Sequence, residues 1–130
     1  MTLSVRDQEI LSVNQTMLES VVCGDWAAYA KHCSQELSCF EGETNGHLVE
    51  GLPFHRYYFD LPAGDAPSTP VTVTMARPHL RWLSDDAVVL SYTRLTQRLV
   101  NGEPITASCC ETRIWQRLSG QWQQVHVHRS

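Results

Sequence analysis

Two long alternating runs, Ala87 to Val100 and Ile105 to Leu118, joined by the tight turn Asn101-Gly102-Glu103-Pro104, constrain this chain more than any other stretch. The first run carries Val88, Leu90, Tyr92 and Arg94 on one parity, and the second carries Cys109, Glu111, Arg113 and Trp115. Alternate side chains of a strand share a face, so each hydrophobic series places an arginine where a core residue belongs. Both parities of Ala87 to Val100 are apolar, with Ala87, Val89, Leu95 and Leu99 on the other side. An antiparallel sheet with one wet face alternates cleanly, so both faces are expected to be covered, one by helices and the other by a second copy of the chain.

The rest of the chain supplies those helices. Ser4 followed by Asp7 is a helix start, after which Ile10, Val13, Met17, Leu18 and Val21 form one stripe up to Gly24. Asp25 caps a shorter helix with Trp26, Tyr29, Ala30 and Cys33 at helical spacing. Leu37 to Glu41 reads as a short strand, and Gly42 to His47 as a polar loop. Pro53 suits the first turn of a third helix, with Phe54, Tyr57, Tyr58 and Leu61 as its buried stripe. Pro62 to Pro70 is a loop by composition. Beyond it come four strands: Val71 to Leu83 with a bulge at Pro78, the two runs above, and Gln121 to Arg129. Turns at Ser84-Asp85-Asp86, Asn101-Gly102 and Ser119-Gly120 imply consecutive antiparallel pairing. The expected fold is α+β: one domain over residues 1–130, with N-terminal helices packed in a strongly curved antiparallel sheet.

Composition excludes several functions. The net charge is -4, and the basic residues are nine arginines and Lys31, unclustered, so no nucleic-acid partner is expected. No apolar run approaches a membrane span and the N-terminus has no signal core, so the expected setting is cytoplasmic, with no membrane partner. Five cysteines without a CxxC spacing read as free thiols.

Arg94 and Arg113 are the first candidates for chemistry. Glu111 shares a face with Arg113 and is expected to pair with one guanidinium, leaving the other facing a partly dry cavity. Two like charges about 4 Å apart repel by on the order of 4 kcal/mol at an effective dielectric near 20, so an anion between them is favoured. A guanidinium suits a carboxylate, which it can hold with two parallel hydrogen bonds. A helix over the concave sheet face brings His55 and Tyr57 to the same ligand, and Tyr29 and Tyr92 can line the cavity. His126 and His128 share a strand face, but no third ligand has matching spacing, so neither a metal nor another cofactor is expected. Asp85-Asp86 is solvated turn chemistry, and the chain has no Gly-rich phosphate loop, G-x-S-x-G or H-E-x-x-H motif.

Several segments carry a family likeness. Leu48 to Phe59 (Leu-Val-Glu-Gly-Leu-Pro-Phe-His-Arg-Tyr-Tyr-Phe), Pro78-His79, Tyr92-Thr93-Arg94-Leu95-Thr96-Gln97, Glu111-Thr112-Arg113-Ile114-Trp115 and Trp122 to Ser130 closely resemble the association (hub) domain of calcium/calmodulin-dependent protein kinase II. The likeness runs from about Glu9 to the end. It implies an NTF2-like cone that dimerises through its sheet and often forms rings of dimers. It also implies a pocket for small carboxylates at His55, Arg94 and Arg113, with Tyr29 and Tyr57 at lining positions. The sequence departs from the family at Cys110, where an acidic residue is common, and in the Pro62 to Pro70 loop. No kinase domain is expected before the hub-like region and no basic amphipathic segment is read in the sequence, so neither kinase activity nor calmodulin binding is expected.

The expected protein is therefore a stand-alone bacterial homo-oligomer that binds a small carboxylate or similar anion. The rival is an NTF2-like enzyme of isomerase, dehydratase or hydrolase type, with His55 as general base, Glu111 as its acidic partner and the arginines stabilising an oxyanion. A third reading is a pure scaffold whose pocket is vestigial.

Overall fold

The Ser4 hydroxyl accepts a hydrogen bond from the Asp7 amide at 3.2 Å, and the Asp7 carboxylate accepts one from the Ser4 amide at 3.0 Å. This reciprocal cap starts helix α1, Val5–Val22, which ends two residues before Gly24 turns the chain with φ +69°. The computed structural model describes residues 2–60 and 70–130, apart from the side chains of Tyr57, Tyr58 and Asp60. Most of the expected Pro62 to Pro70 loop and the stripe positions Tyr57, Tyr58 and Leu61 therefore lie outside the described residues.

Ile10, Met17 and Leu18 are buried as the helical spacing requires, but Asn14 and Ser20 are buried with them while Val21 sits at the rim. Asn14 has a specific reason to be inside. Its Oδ1 accepts from the indole N–H of Trp115 at 3.0 Å and its amide N–H donates to the sulfur of Met75 at 3.1 Å. A valine there would leave a buried indole donor unpaired. At the start of the same helix, Asp7 Oδ1 accepts from Trp82 Nε1 at 2.7 Å and Arg6 lies over the Trp82 ring at 4.2 Å, fixing the helix across the sheet.

Asp25 caps helix α2, Trp26–Lys31, by accepting from the Ala28 amide at 3.1 Å. The helix is shorter than the Trp26 to Cys33 spacing suggests, because Cys33 already opens strand β1, Cys33–Phe40, whose Cys33, Leu37 and Cys39 face the core. A 3-10 turn at Gly42–Thr44 leads to the two-residue β2, Val49–Glu50, and to α3, Pro53–Asp60, with Pro53 at its first position.

The strands of the second half follow the expected order: β3 Thr72–Ser84, β4 Ala87–Val100, β5 Glu103–Leu118 and β6 Gln121–Arg129. Pro78 falls where the β3–β4 register breaks between Ala76 and His79, beside Arg77 at φ +52°. The missing proline N–H is thereby taken out of the ladder. Asn101 and Gly102 have φ of +52° and +79°, the mirror-image turn whose twist matches a right-handed strand pair.

The six-stranded sheet has the order β2-β1-β6-β5-β4-β3, and β1 runs parallel to β6. The helices lie against its concave face, where Ile10, Met17, Leu18, Tyr29, Leu37, Leu90 and Trp115 form the core. Parity decides which β4 and β5 residues join it. Val88 lies opposite Trp115, Leu90 opposite Arg113 and Tyr92 opposite Glu111, and all six are buried. Across β5, Glu111 lies opposite Arg129 and Arg113 opposite Val127, so the charged residues of three strands share one region of the inner face.

Asn14→Ala is expected to lower stability by about 1–3 kcal/mol, the cost of stranding the Trp115 indole. Ser4→Ala, which removes half of an exposed cap, should cost about 1 kcal/mol or less. Urea melts at one fixed protomer concentration check the order of the two.

Candidate functional site

Arg113 is buried on the inner face of β5, and its guanidinium is saturated from three directions. Its Nε donates to Tyr92 Oη at 3.0 Å and to Glu111 Oε1 at 3.2 Å, Nη2 donates to Glu111 Oε1 at 3.1 Å, and Nη1 donates to Gln124 Oε1 at 2.6 Å. The Gln124 amide continues the chain to the Cys33 sulfur at 2.8 Å. Burial opposes the charge of Arg113, but Tyr92 and Glu111 outweigh it and hold the group firmly protonated. Burial likewise favours a neutral Glu111, and Arg113 and Arg94 reverse that preference, keeping its carboxyl below the ordinary range.

Glu111 pairs with both arginines, where the sequence suggested one. Its Oε2 lies 2.9 Å from Arg94 Nη1, while Oε1 takes Arg113 and accepts the Tyr92 hydroxyl at 2.6 Å. The Arg94 contact is close but poorly aligned, since Oε2 has no hydrogen bond of good geometry among the described residues. Repulsion between the two guanidiniums is relieved by this shared carboxylate, so it does not by itself call for an added anion.

Both arginines line a cavity of about 270 Å³ together with Tyr29, His55, Glu41 and Arg129. Tyr92 and Glu111 buttress the arginines and are not among its described lining residues. The side chain of Tyr57 lies outside the described residues. Burial raises Tyr29 far above the ordinary phenol range and Tyr92 to about 12, so both keep their protons. Tyr29 Oη lies 3.2 Å from His55 Nδ1. With the phenol as donor to Nδ1 the imidazole proton sits on Nε2, and with Nδ1–H as donor to the phenol it does not. Burial, then Arg113 and Arg129, push His55 down to about 4. At neutral pH such an imidazole is a poor proton acceptor, which weakens the case for His55 as a general base.

Two buried nitrogens of cavity-lining residues, His55 Nε2 and Arg94 Nε, have no hydrogen-bond partner among the described residues. Sequence reasoning missed the third arginine. Arg129 donates to Glu41 at 3.3 Å and to Glu43 at 2.9 Å, and Glu41 in turn lies 3.9 Å from His55 Nδ1. The signal was available, because Arg129 follows Val127 at the same two-residue spacing that picked out Arg94 and Arg113. Glu41 left no such signal, since it follows the end of β1 and enters a 3-10 turn. Burial raises the Glu41 carboxyl above its ordinary value despite Arg129 and Arg113. Arg94, Arg113 and Arg129 are thus matched by Glu41, Glu43 and Glu111, and this group of six is balanced in charge.

A metal-ligating group also converges here: ligand atoms of Cys39, Glu41 and His55 lie within 4.8 Å of one another. Cys39 is buried, and burial raises its thiol to about 11. The histidine pair of β6 is engaged elsewhere. His126 Nδ1 lies 2.8 Å from Ser38 Oγ, and the rings of His126 and His128 flank Phe40 at 6.2 and 5.4 Å.

Glu111→Gln is expected to destabilise the fold by about 3–5 kcal/mol near neutral pH, because the buried Arg113 and the partly buried Arg94 lose their counter-ion. A carboxyl whose folded-state pKa is depressed stabilises fully above its unfolded value and loses that contribution as pH falls through the folded one. The gap between wild type and Glu111→Gln should therefore be constant above about pH 4.5 and shrink below it, as read from urea melts across pH.

The model of the calcium/calmodulin dependent protein kinase II association domain matches residues 6–130. The delta subunit of calcium/calmodulin-dependent protein kinase type II from Oryctolagus cuniculus is 41% identical over 126 residues, which are 96% of this chain and 24% of that one. This chain thus spans about a quarter of the length of that relative. Among solved structures, the hub homology domain from Chlamydomonas reinhardtii superimposes with a TM-score of 0.89 at 47% identity, covering 95% of each chain. An NTF2-like protein of unknown function from Shewanella oneidensis shares the fold, with a TM-score of 0.73 at 18% identity over 97% of this chain and 99% of that one. A buried charge network on the concave face of an NTF2-like sheet and a match over nearly the whole chain lead to one assignment: the protein belongs to the calcium/calmodulin-dependent protein kinase II association domain family.

Proposed function

We propose that this chain is an oligomerising hub that joins copies of itself through the outer face of its sheet and holds a small carboxylate in the cavity beneath α3. The observation that carries the pocket reading is the pair of buried, unpartnered nitrogens, Arg94 Nε and His55 Nε2. A guanidinium Nε always carries a proton, and in the tautomer where Tyr29 donates to Nδ1 so does His55 Nε2, which makes both of them donors in want of an acceptor. A carboxylate offers two acceptor oxygens, and about 270 Å³ suits a ligand of a few heavy atoms. Recognition would rest on placed donors in a water-poor cavity, not on excess positive charge, because the carboxylates already balance the arginines.

For self-association, the supporting feature is the apolar parity of β4 and β5 that does not face the helices. Val89 and Ile114 lie opposite each other there, and further along the same parity of β4 Leu99 is 49% exposed. Burying such side chains against a second copy contributes roughly 25 cal/mol per Å² of apolar surface.

Val89→Asp is expected to lower the sedimentation coefficient while far-UV circular dichroism stays folded. Leu90→Asp, at a fully buried position, should instead damage the fold. An assembly state unchanged by Val89→Asp would remove this face from consideration.

Small carboxylates such as acetate, malonate and succinate are expected to raise the melting temperature of the wild type, by about 2.7 kcal/mol of stability at a hundredfold excess over Kd. Arg94→Ala should abolish that shift. Its side chain is 19% exposed and its removal leaves Glu111 paired with Arg113, so the fold should persist. Arg113→Ala is the poorer probe, because it also strands Gln124, Tyr92 and Glu111 in the core. An undiminished shift in Arg94→Ala would refute the pocket reading.

A further inference from the structure

The geometry points to a metal site: we propose that Cys39, Glu41 and His55 bind one divalent transition-metal ion of the zinc class, at the wall of the cavity. The three side chains come from three separate places, the end of β1, the turn after it and α3, and their ligand atoms already lie within 4.8 Å of one another. A tetrahedral zinc ion holds such atoms about 3.3–3.6 Å apart, so closure asks for side-chain shifts on the order of an ångström.

The chemistry of the set is specific. A thiolate, an imidazole and a carboxylate form a mixed sulfur, nitrogen and oxygen set that suits zinc and its neighbours and does not suit magnesium or calcium. The thiolate cancels one charge of a 2+ ion, and because Glu41 already counts among the three glutamates that match the three arginines, the loaded group carries one net positive charge, which a hydroxide or anion in the fourth position would cancel. As the metal–sulfur bond forms, the Cys39 proton passes to solvent and the metal gives up coordinated water.

Each ligand is already held in place. Arg129 takes Glu41 Oε2 at 3.3 Å, leaving Oε1 turned toward His55 Nδ1 at 3.9 Å. Cys39 is fixed between Val49 of β2 and Val127 of β6, and it is a free thiol. The nitrogen that faces Glu41 is Nδ1, which ligates the ion in the tautomer that carries the imidazole proton on Nε2. On metal binding the Tyr29 hydroxyl gives up Nδ1. The fourth position opens toward the cavity that Glu41 and His55 line, which supplies a route of entry and room for a water.

The proposal does not depend on the carboxylate reading, because Arg94 takes no part in it and the test is run in buffers free of carboxylates. Cobalt(II) is titrated into the assembled protein in which Cys23, Cys109 and Cys110 are replaced by serine, leaving Cys33 and Cys39 as the only thiols. One cobalt per chain should bind, with intense d–d absorption of a tetrahedral site and a thiolate-to-cobalt charge-transfer band, and one equivalent of zinc should displace it. Cys39→Ser should remove the charge-transfer band, and Glu41→Gln should weaken zinc binding about tenfold or more by calorimetry. Cys33→Ser should leave the spectrum as it was. A charge-transfer band that survives Cys39→Ser, or no stoichiometric cobalt binding, overturns the site. If Cys39→Ser does not fold, unaltered zinc affinity in Glu41→Gln overturns it equally.

Discussion

Glu111 is the group on which the inner face of this sheet depends. It sits fully out of water, and two guanidiniums and a phenol converge on its two oxygens. Taking a carboxylate and an arginine out of water costs several kcal/mol each, and only close pairing with further hydrogen bonds offsets it. That requirement spreads outward. Arg113 must also find Gln124, Gln124 must find Cys33, and Tyr92 must stand beside the carboxylate. Three strands, β4, β5 and β6, and the start of β1 are thus held in one register by polar contacts that a slip of a single residue would break.

The same network explains why a cavity survives under the helices. A core closed entirely by apolar side chains would fill this space, whereas fixed guanidiniums and an imidazole cannot collapse onto one another. Helices α1 and α2 pack the apolar end of the sheet through Ile10, Met17, Leu18 and Tyr29, and His55 and Phe59 bring α3 to the charged end. The cavity lies between, with Val21 and Val22 on its apolar wall. The rim position of Val21, odd for a residue on a helix stripe, follows from this arrangement.

Much of this was legible in the sequence because the strands are long and obey a two-residue period. Parity alone placed Arg94, Glu111 and Arg113 inside, and Asn101-Gly102 and Pro78 marked a turn and a bulge through constraints that few other residues satisfy. What escaped was non-local. Nothing in the period of β1 says that it runs parallel to β6, and that pairing is what carries Glu41 to Arg129. Asn14 was passed over because a polar residue on an apolar stripe looks like an interruption. Its meaning depends on Trp115, 101 positions away.

The charge balance of the cavity also changes what kind of selectivity it can have. A pocket that drew anions by net positive potential would prefer the most highly charged ligand and weaken steeply with salt. Here the guanidinium charges are already spent on Glu111, Glu41 and Glu43, and the free capacity lies in two directed donors. On the proposed carboxylate reading, discrimination would follow the geometry of acceptor oxygens and the volume between Arg94 and His55, with a weak dependence on ionic strength. The buried carboxylates that hold the fold together would thereby set the terms on which the proposed carboxylate is recognised.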